Sequence, residues 1–311
     1  GYDLPLKDAD GKCIFIFAWL LVIFMASVTT RLNVFHSIVS GLIFILFNIL
    51  SIVTYQPSLI IVIIIVPFFI TTLPVVWIES LHIQQYAREN FRATNLLSKY
   101  LSPQLTDTIS DGQLDLIWKH SRKKLTLFFS DIKDFTSITD AMEPEDMAGL
   151  LNEYLSEMNL IIYKYNGTLT QVIGDGLYII FGAPQKTSDK DHAKRCVRMA
   201  IEMQLKMDDL NAKWFDQGVD EVLKLRCGIN TGMATVGGYG SSERKEYTAM
   251  GMQVNIAARL EQACKPGNIL ISHANWALVK DEISCTPKGQ ISVKGYHKPV
   301  RIYDVDFRVA G

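Results

Sequence analysis

The sequence predicts an α+β domain with a split β-α-β core, preceded by three transmembrane helices and a helical linker. Three observations predict it. Residues 32–78 contain no Asp, Glu, Lys or Arg and are mostly apolar, whereas the rest of the 311-residue chain carries ordinary mixed charge. Beyond residue 123, β-like runs and amphipathic stretches alternate as strand, helix, strand, strand, helix, strand. Two carboxylates, Asp131 and Asp175, then fall at a strand end and at a hairpin tip.

A bilayer crossing takes about 20 apolar residues at 1.5 Å rise each. The charge-free stretch therefore holds two spans, and the uncharged run Cys13–Thr30 holds another. The spans read as Ile14–Thr29, Val34–Tyr55 and Leu59–Ile78, so that residues 13–80 are the membrane part and residues 1–12 an extracytoplasmic stub. Trp19, Tyr55 and Trp77 suit the membrane interface, and Arg31 places the first connection in the cytoplasm by the positive-inside rule. The expectation is a multi-pass protein of the plasma (inner) membrane, in contact with lipid, with its N-terminal end outside and everything after Glu79 inside. Apart from His36 the spans hold no ionisable residue, which reads as an anchor rather than a transporter. Gly1 is not an initiator Met and no cleavable signal sequence is visible, so a preceding segment is expected.

Residues 81–122 read as a cytoplasmic helical linker. No Gly or Pro interrupts it before Pro103, and Ile83, Tyr86, Phe91, Leu97 and Leu101 fall roughly at helical spacing. The formal net charge of −1 leaves no electrostatic footprint for nucleic acid. The five cysteines are scattered without a CxxC pair and read as buried free thiols in a reducing compartment.

In the remainder, Lys124–Ser130 is a buried-strand pattern that delivers Asp131. Pro144 opens an amphipathic helix with Met147, Leu150, Leu151, Tyr154, Leu155 and Met158 on one side, stopped near Asn166-Gly167. Two further β-like runs, Gly167–Ile173 and Leu177–Phe181, flank Gly174-Asp175-Gly176, and Asp-Gly there is a hairpin signal. Carboxylates brought side by side suit Mg²⁺ or Mn²⁺, which take a few carboxylates plus substrate phosphates. Turn chemistry alone also explains an Asp at this place. Asn255 and Arg259, four apart, share one helix face, which by itself reads as a solvated surface.

Taken together, Phe129-Ser-Asp-Ile-Lys-Asp-Phe-Thr136, Ile173-Gly-Asp-Gly176, Leu225-Arg-Cys-Gly-Ile-Asn-Thr-Gly232, Tyr247-Thr-Ala-Met-Gly251 and Val254-Asn-Ile-Ala-Ala-Arg-Leu-Glu261 resemble the class III nucleotidyl cyclases, from about Lys123 to Phe307. The resemblance implies a catalytic domain over residues 123–307 with a ferredoxin-like core and additions. It implies that Asp131, Asp175 and the Ile132 carbonyl bind two divalent cations, Mg²⁺ or Mn²⁺. Phe135 and Thr136 match the turn whose N–H groups face the phosphates, and Arg226 and Lys294 match residues that hold the triphosphate. Asn255 and Arg259 match the pair that orients the ribose and stabilises the transition state. A homodimer is implied as well, with the aspartates from one protomer and the Asn/Arg pair from the other. The membrane part is similar to three-span anchors that follow an extracellular CHASE-type sensor, with Ser98–Leu105 resembling the junction after them.

Two positions choose the base in such enzymes: Lys with Asp or Thr goes with ATP, and Glu with Cys goes with GTP. Gln171 and Thr248 stand there in this chain. Thr248 fits the ATP branch; Gln171 fits neither, since its amide can read adenine or guanine after a flip. Asp134 also replaces the usual Gly of the metal loop. The expected activity is adenylate cyclase, converting ATP to 3′,5′-cyclic AMP and pyrophosphate. The alternatives are a guanylate or dual-specificity cyclase, or a catalytically impaired nucleotide-binding dimer.

Overall fold

The computed structural model describes residues 77–96, 101–139, 142–241 and 243–308. The expected stub and spans therefore lie outside the described residues, except for Trp77–Ser80. The chain divides into two compact units, residues 1–90 and 91–311. Residues 77–96 form helix α1, which crosses that boundary and exposes Ile83, Tyr86 and Phe91. Among the described residues no helix is long and apolar enough to cross a membrane.

In the second unit, α2 (Pro103–Ser110) and α3 (Leu114–Trp118) precede β1 (Ser121–Ile132) and α4 (Phe135–Thr139). Then come α5 (Pro144–Lys164), β2 (Thr168–Ile173), β3 (Gly176–Phe181), α6 (Asp189–Asp216) and β4 (Leu225–Gly240). The chain continues through β5 (Lys245–Met250), α7 (Met252–Ala263), β6 (Ile269–Ser272), α8 (His273–Val279), β7 (Cys285–Ile291) and β8 (Val300–Val305). The strands form one 8-stranded mixed sheet in the order β2-β3-β1-β4-β6-β8-β7, with β5 folded back on β4. Only β4 and β6 run parallel. The order β2-β3-β1-β4, antiparallel throughout, is the split β-α-β core read from the sequence; β5 to β8 are the additions.

Strand alternation builds two cores on opposite faces of this sheet. Leu177, Ile179 and Phe181 of β3, with Phe128 of β1, pack against Leu150, Tyr154 and Met158 of α5 and the apolar face of α6. Tyr178 and Ile180 of β3, with Leu125 and Leu127 of β1, face the β5 arm and Ala257 of α7. Covered on both sides, β3 is buried along its whole length, which explains its continuous apolar run. Helix α5 starts at Pro144 and stops as expected: Asn166 turns to φ 55° and the Gly167 amide donates to the Ile162 carbonyl at 2.9 Å.

Two glycines of the Leu225–Gly232 stretch seat α7 on β4. A Cβ at Gly228 would lie 2.1 Å from the Glu261 nitrogen, and one at Gly232 would lie 2.5 Å from Gln253 Oε1. Between them, the Asn230 side-chain amide donates to both the carbonyl and the side-chain oxygen of Gln253 at 2.9 Å, fixing the start of the helix. The motif is thus a bed for α7.

Candidate active site

Asp131 and Asp175 meet because β1 and β3 pair antiparallel with Ser130 opposite Leu177, which puts the β2–β3 hairpin tip beside the end of β1. Ile173 pairs with Gly176, so the two loop residues are Gly174 and Asp175. The register narrows the expected turn, Gly174-Asp175-Gly176, to its first two residues, with Gly176 opening β3. Gly174 carries the positive φ of 65°, as a turn with glycine at its first central position requires. Asp175 Oδ2 accepts from the Ile132 amide at 2.8 Å. Burial pushes the Asp175 carboxyl up, the Ile132 N–H opposes this, and the charge of Asp131 adds to the upward push. Two carboxylates close enough to share a hydrogen bond are poorly neutralised by the protein alone.

The cation at hand is Arg226, directly opposite Asp131 in the β1–β4 register. Its guanidinium pairs with Asp131 and lies 3.0 Å from Glu261 Oε1. Glu261, on the inward face of α7, is buried, and that burial pushes its carboxyl up to about 7; Arg226 opposes the shift, and Asp131 and Asp175 add to it. Sequence reading gave Glu261 no role, because one Glu on an amphipathic helix looks solvated. Its signal was its place at the end of the Val254–Glu261 stretch, over Gly228.

Oxygen ligands gathered around one positive group fit a divalent cation. Among the described residues no three His, Cys, Asp or Glu side chains form a metal cage. Two neighbouring carboxylates, completed by phosphate oxygens, instead suit Mg²⁺. Phe135 and Thr136 open α4 immediately after Asp134, which sits at φ 56°; Phe135 is buried in the α5–α6 core. The Asp134 carboxylate is 60% exposed and paired with Lys133, turned toward solvent.

A second group of residues lies on the outer side of α7. Asn255 and Arg259 are exposed there, while Ile256, Leu260 and Glu261 of the same helix point inward. Arg259 donates to Gln262 at 2.5 Å. Among the described residues no hydrogen bond or ion pair joins Asn255 or Arg259 to Asp131 or Asp175. Lys294 is exposed on a turn closed by the Tyr296 amide and the Val293 carbonyl, next to Gly295, which abuts Met252 at the start of α7.

Of the two base-position residues, Gln171 reaches from β2 to β5, the strand that carries Thr248. Gln171 Nε2 donates to Glu246 Oε2 at 2.8 Å, and Glu246 stands two residues before Thr248 on β5. Thr248 is buried. Beside it the Tyr178 hydroxyl donates to the Ala249 carbonyl at 3.1 Å, tying β3 to β5. Sequence reading missed both Glu246 and Tyr178, since neither belongs to a base-position motif.

The family described as Adenylate and Guanylate cyclase catalytic domain matches residues 117–306. Adenylate cyclase 1 of Rhizobium meliloti (strain 1021) is 35% identical over 186 residues, 59% of this chain, and the chain spans 28% of that protein's length. Among solved structures, the adenylyl cyclase CyaB from P. aeruginosa is 46% identical with a TM-score of 0.59, over 60% of this chain and 96% of that one. The guanylyl cyclase Cya2 is 34% identical with a TM-score of 0.56, over 60% of this chain and 92% of that one.

Proposed function

Because this chain belongs to the adenylate and guanylate cyclase catalytic domain family, we propose that it converts ATP to 3′,5′-cyclic AMP and pyrophosphate at a site shared by two copies. One observation carries the reading. Asp131 and Asp175 lie together at the β1 end, while Asn255 and Arg259 face outward from α7 and touch neither carboxylate. A second copy bringing its α7 to the first copy's carboxylates would complete two equivalent sites about a two-fold axis.

Cyclisation is an intramolecular displacement: the ribose 3′-oxygen attacks the α-phosphorus, the 3′-hydroxyl gives up its proton and pyrophosphate leaves. Positioning and charge neutralisation supply most of such catalysis. Asp131, Asp175 and the Ile132 carbonyl are the residues that would hold two divalent cations, which when bound lower the hydroxyl pKa and carry triphosphate charge. Arg226, freed from Asp131, binds the triphosphate together with Lys294, and the turn at Phe135 and Thr136 receives its oxygens. Asn255 orients the ribose. Arg259 meets the charge that develops on the phosphorus oxygens. Thr248, whose hydroxyl can donate or accept, is the residue that would face the adenine amino group. A guanylate or dual-specificity cyclase is the second reading, favoured by the Gln171 amide, which has a donor end and an acceptor end.

The same proposal includes anchoring in the plasma (inner) membrane through residues 13–80, with lipid around them and the catalytic part in the cytoplasm. The charge-free stretch 32–78 supports it. A sensor segment outside the membrane and upstream of Gly1 would then act through the linker. Product identification with ATP and with GTP, under Mg²⁺ and under Mn²⁺, tests the activity. Cyclic AMP is expected as the main product; no cyclic nucleotide under any of these conditions overturns the reading. Alkaline extraction of membranes tests the anchor, and release of the chain into the wash counts against it.

A further inference from the structure

An amide side chain reads a purine by the order of its two ends. Gln171 with its oxygen and nitrogen in one order matches the donor–acceptor edge of adenine, and reversed it matches the acceptor–donor edge of guanine. A free Gln reverses readily. In this structure it is not free, because the Glu246 carboxylate accepts from Gln171 Nε2 at 2.8 Å. A carboxylate is an acceptor only, so reversal would set the Gln171 oxygen against a negative charge. The other oxygen of that carboxylate accepts from Nη2 of the exposed Arg244 side chain at 3.2 Å. The β5 arm that carries Glu246 is tied to β3 through the Tyr178 hydroxyl and the Ala249 carbonyl.

We propose that Glu246 is a specificity-determining positioning residue, which locks the Gln171 amide in one orientation so that it reads one purine and rejects the other. Glu246 acts through Gln171, and the inference rests on the cyclase reading of the site. It reverses the expectation from sequence that the Gln171 amide would tolerate both bases. Glu246→Gln keeps the size of the side chain and offers both a donor and an acceptor, so Gln171 becomes free to turn.

The test compares kcat/KM for ATP and GTP in the full chain, in the wild type and in Glu246→Gln, each in a Gln171 and in a Gln171→Lys background. Lysine has no acceptor end to exchange. In the Gln171 background, Glu246→Gln is expected to move the ratio about tenfold toward unity, chiefly by raising turnover of the disfavoured purine, about the size of one hydrogen bond's discrimination. In the Gln171→Lys background the ratio is expected to move less than about twofold; a general loosening of the arm would shift both backgrounds alike. A ratio that Gln171→Lys changes and Glu246→Gln does not overturns this inference and leaves the cyclase reading standing. Equal shifts in both backgrounds overturn it too. Wild-type protein that cyclises neither purine overturns the cyclase reading and this inference with it.

Discussion

The backbone amide of Ile132 donates to Asp175 Oδ2 across 2.8 Å, tying the hairpin that carries one carboxylate to the strand that carries the other. An Asn at position 175 retains an oxygen that can accept this bond, but it lacks the charge. Asp175→Asn should therefore fold normally, with a melting temperature within about 2 °C of wild type, and lose activity by about three orders of magnitude, the scale of several kcal/mol of lost charge stabilisation. Asp131→Ala should be equally inactive. Retention of more than about a tenth of wild-type turnover in either protein would rule out the carboxylate pair as the metal site.

The proposed division of the site between α7 of one copy and the β1 end of another predicts complementation. Asp131→Ala and Arg259→Ala chains should each be inactive alone. Co-expressed, they should regain about a quarter of wild-type activity: half the dimers formed at random are mixed, and each mixed dimer keeps one intact site of two. Activity that stays at background in the mixture, with mixed dimers confirmed by differential tagging, would show that each chain completes its own site.

Much of this arrangement was legible in the sequence. The apolar run of β3, the Pro144 start and Asn166-Gly167 stop of α5, and the strand end at Asp131 are local signals, each set by neighbours within a few residues. The ion pair of Arg226 with Glu261 was not legible, because it depends on Gly228 letting α7 lie directly on β4, a contact between residues far apart in the chain. Likewise Gln171 and Glu246 stand 75 positions apart and are neighbours only because the β5 arm folds back toward β2. The turn was legible as Gly174-Asp175-Gly176, but two glycines flank the Asp, and only strand register shows that Gly176 already belongs to β3.

Stability should depend on pH through Glu261. Burial raises its carboxyl from 4.5 to about 7 in the fold, so the folded state holds the proton more tightly than the unfolded chain. The stabilisation from that proton is fully present below about 4.5 and is lost as pH rises through about 7. Glu261→Gln keeps a neutral group of the same size at every pH. Measured with a chelator present, the melting temperature of the variant minus that of the wild type should rise between pH 4.5 and pH 7.5, then level off. A difference that stays flat across this range would mean that Arg226 keeps Glu261 ionised throughout.

Asp134 sits at φ 56°, in the left-handed region where Asp is tolerated at a cost and Gly is at ease. Its carboxylate is 60% exposed and paired with Lys133, so it should not oppose a triphosphate at the neighbouring turn. Asp134→Gly should consequently change kcat/KM by less than about threefold and stability by up to about 1 kcal/mol, since relief of the backbone is offset by the greater freedom of the unfolded chain. Asp134→Val, β-branched at a positive φ, should destabilise by more than about 1 kcal/mol. Denaturant titration of the three proteins gives the stabilities, and steady-state assays give the rates. If Asp134→Gly instead raised kcat/KM by tenfold or more, the carboxylate would be acting against the substrate charge, and its outward pairing with Lys133 would not persist once nucleotide is bound.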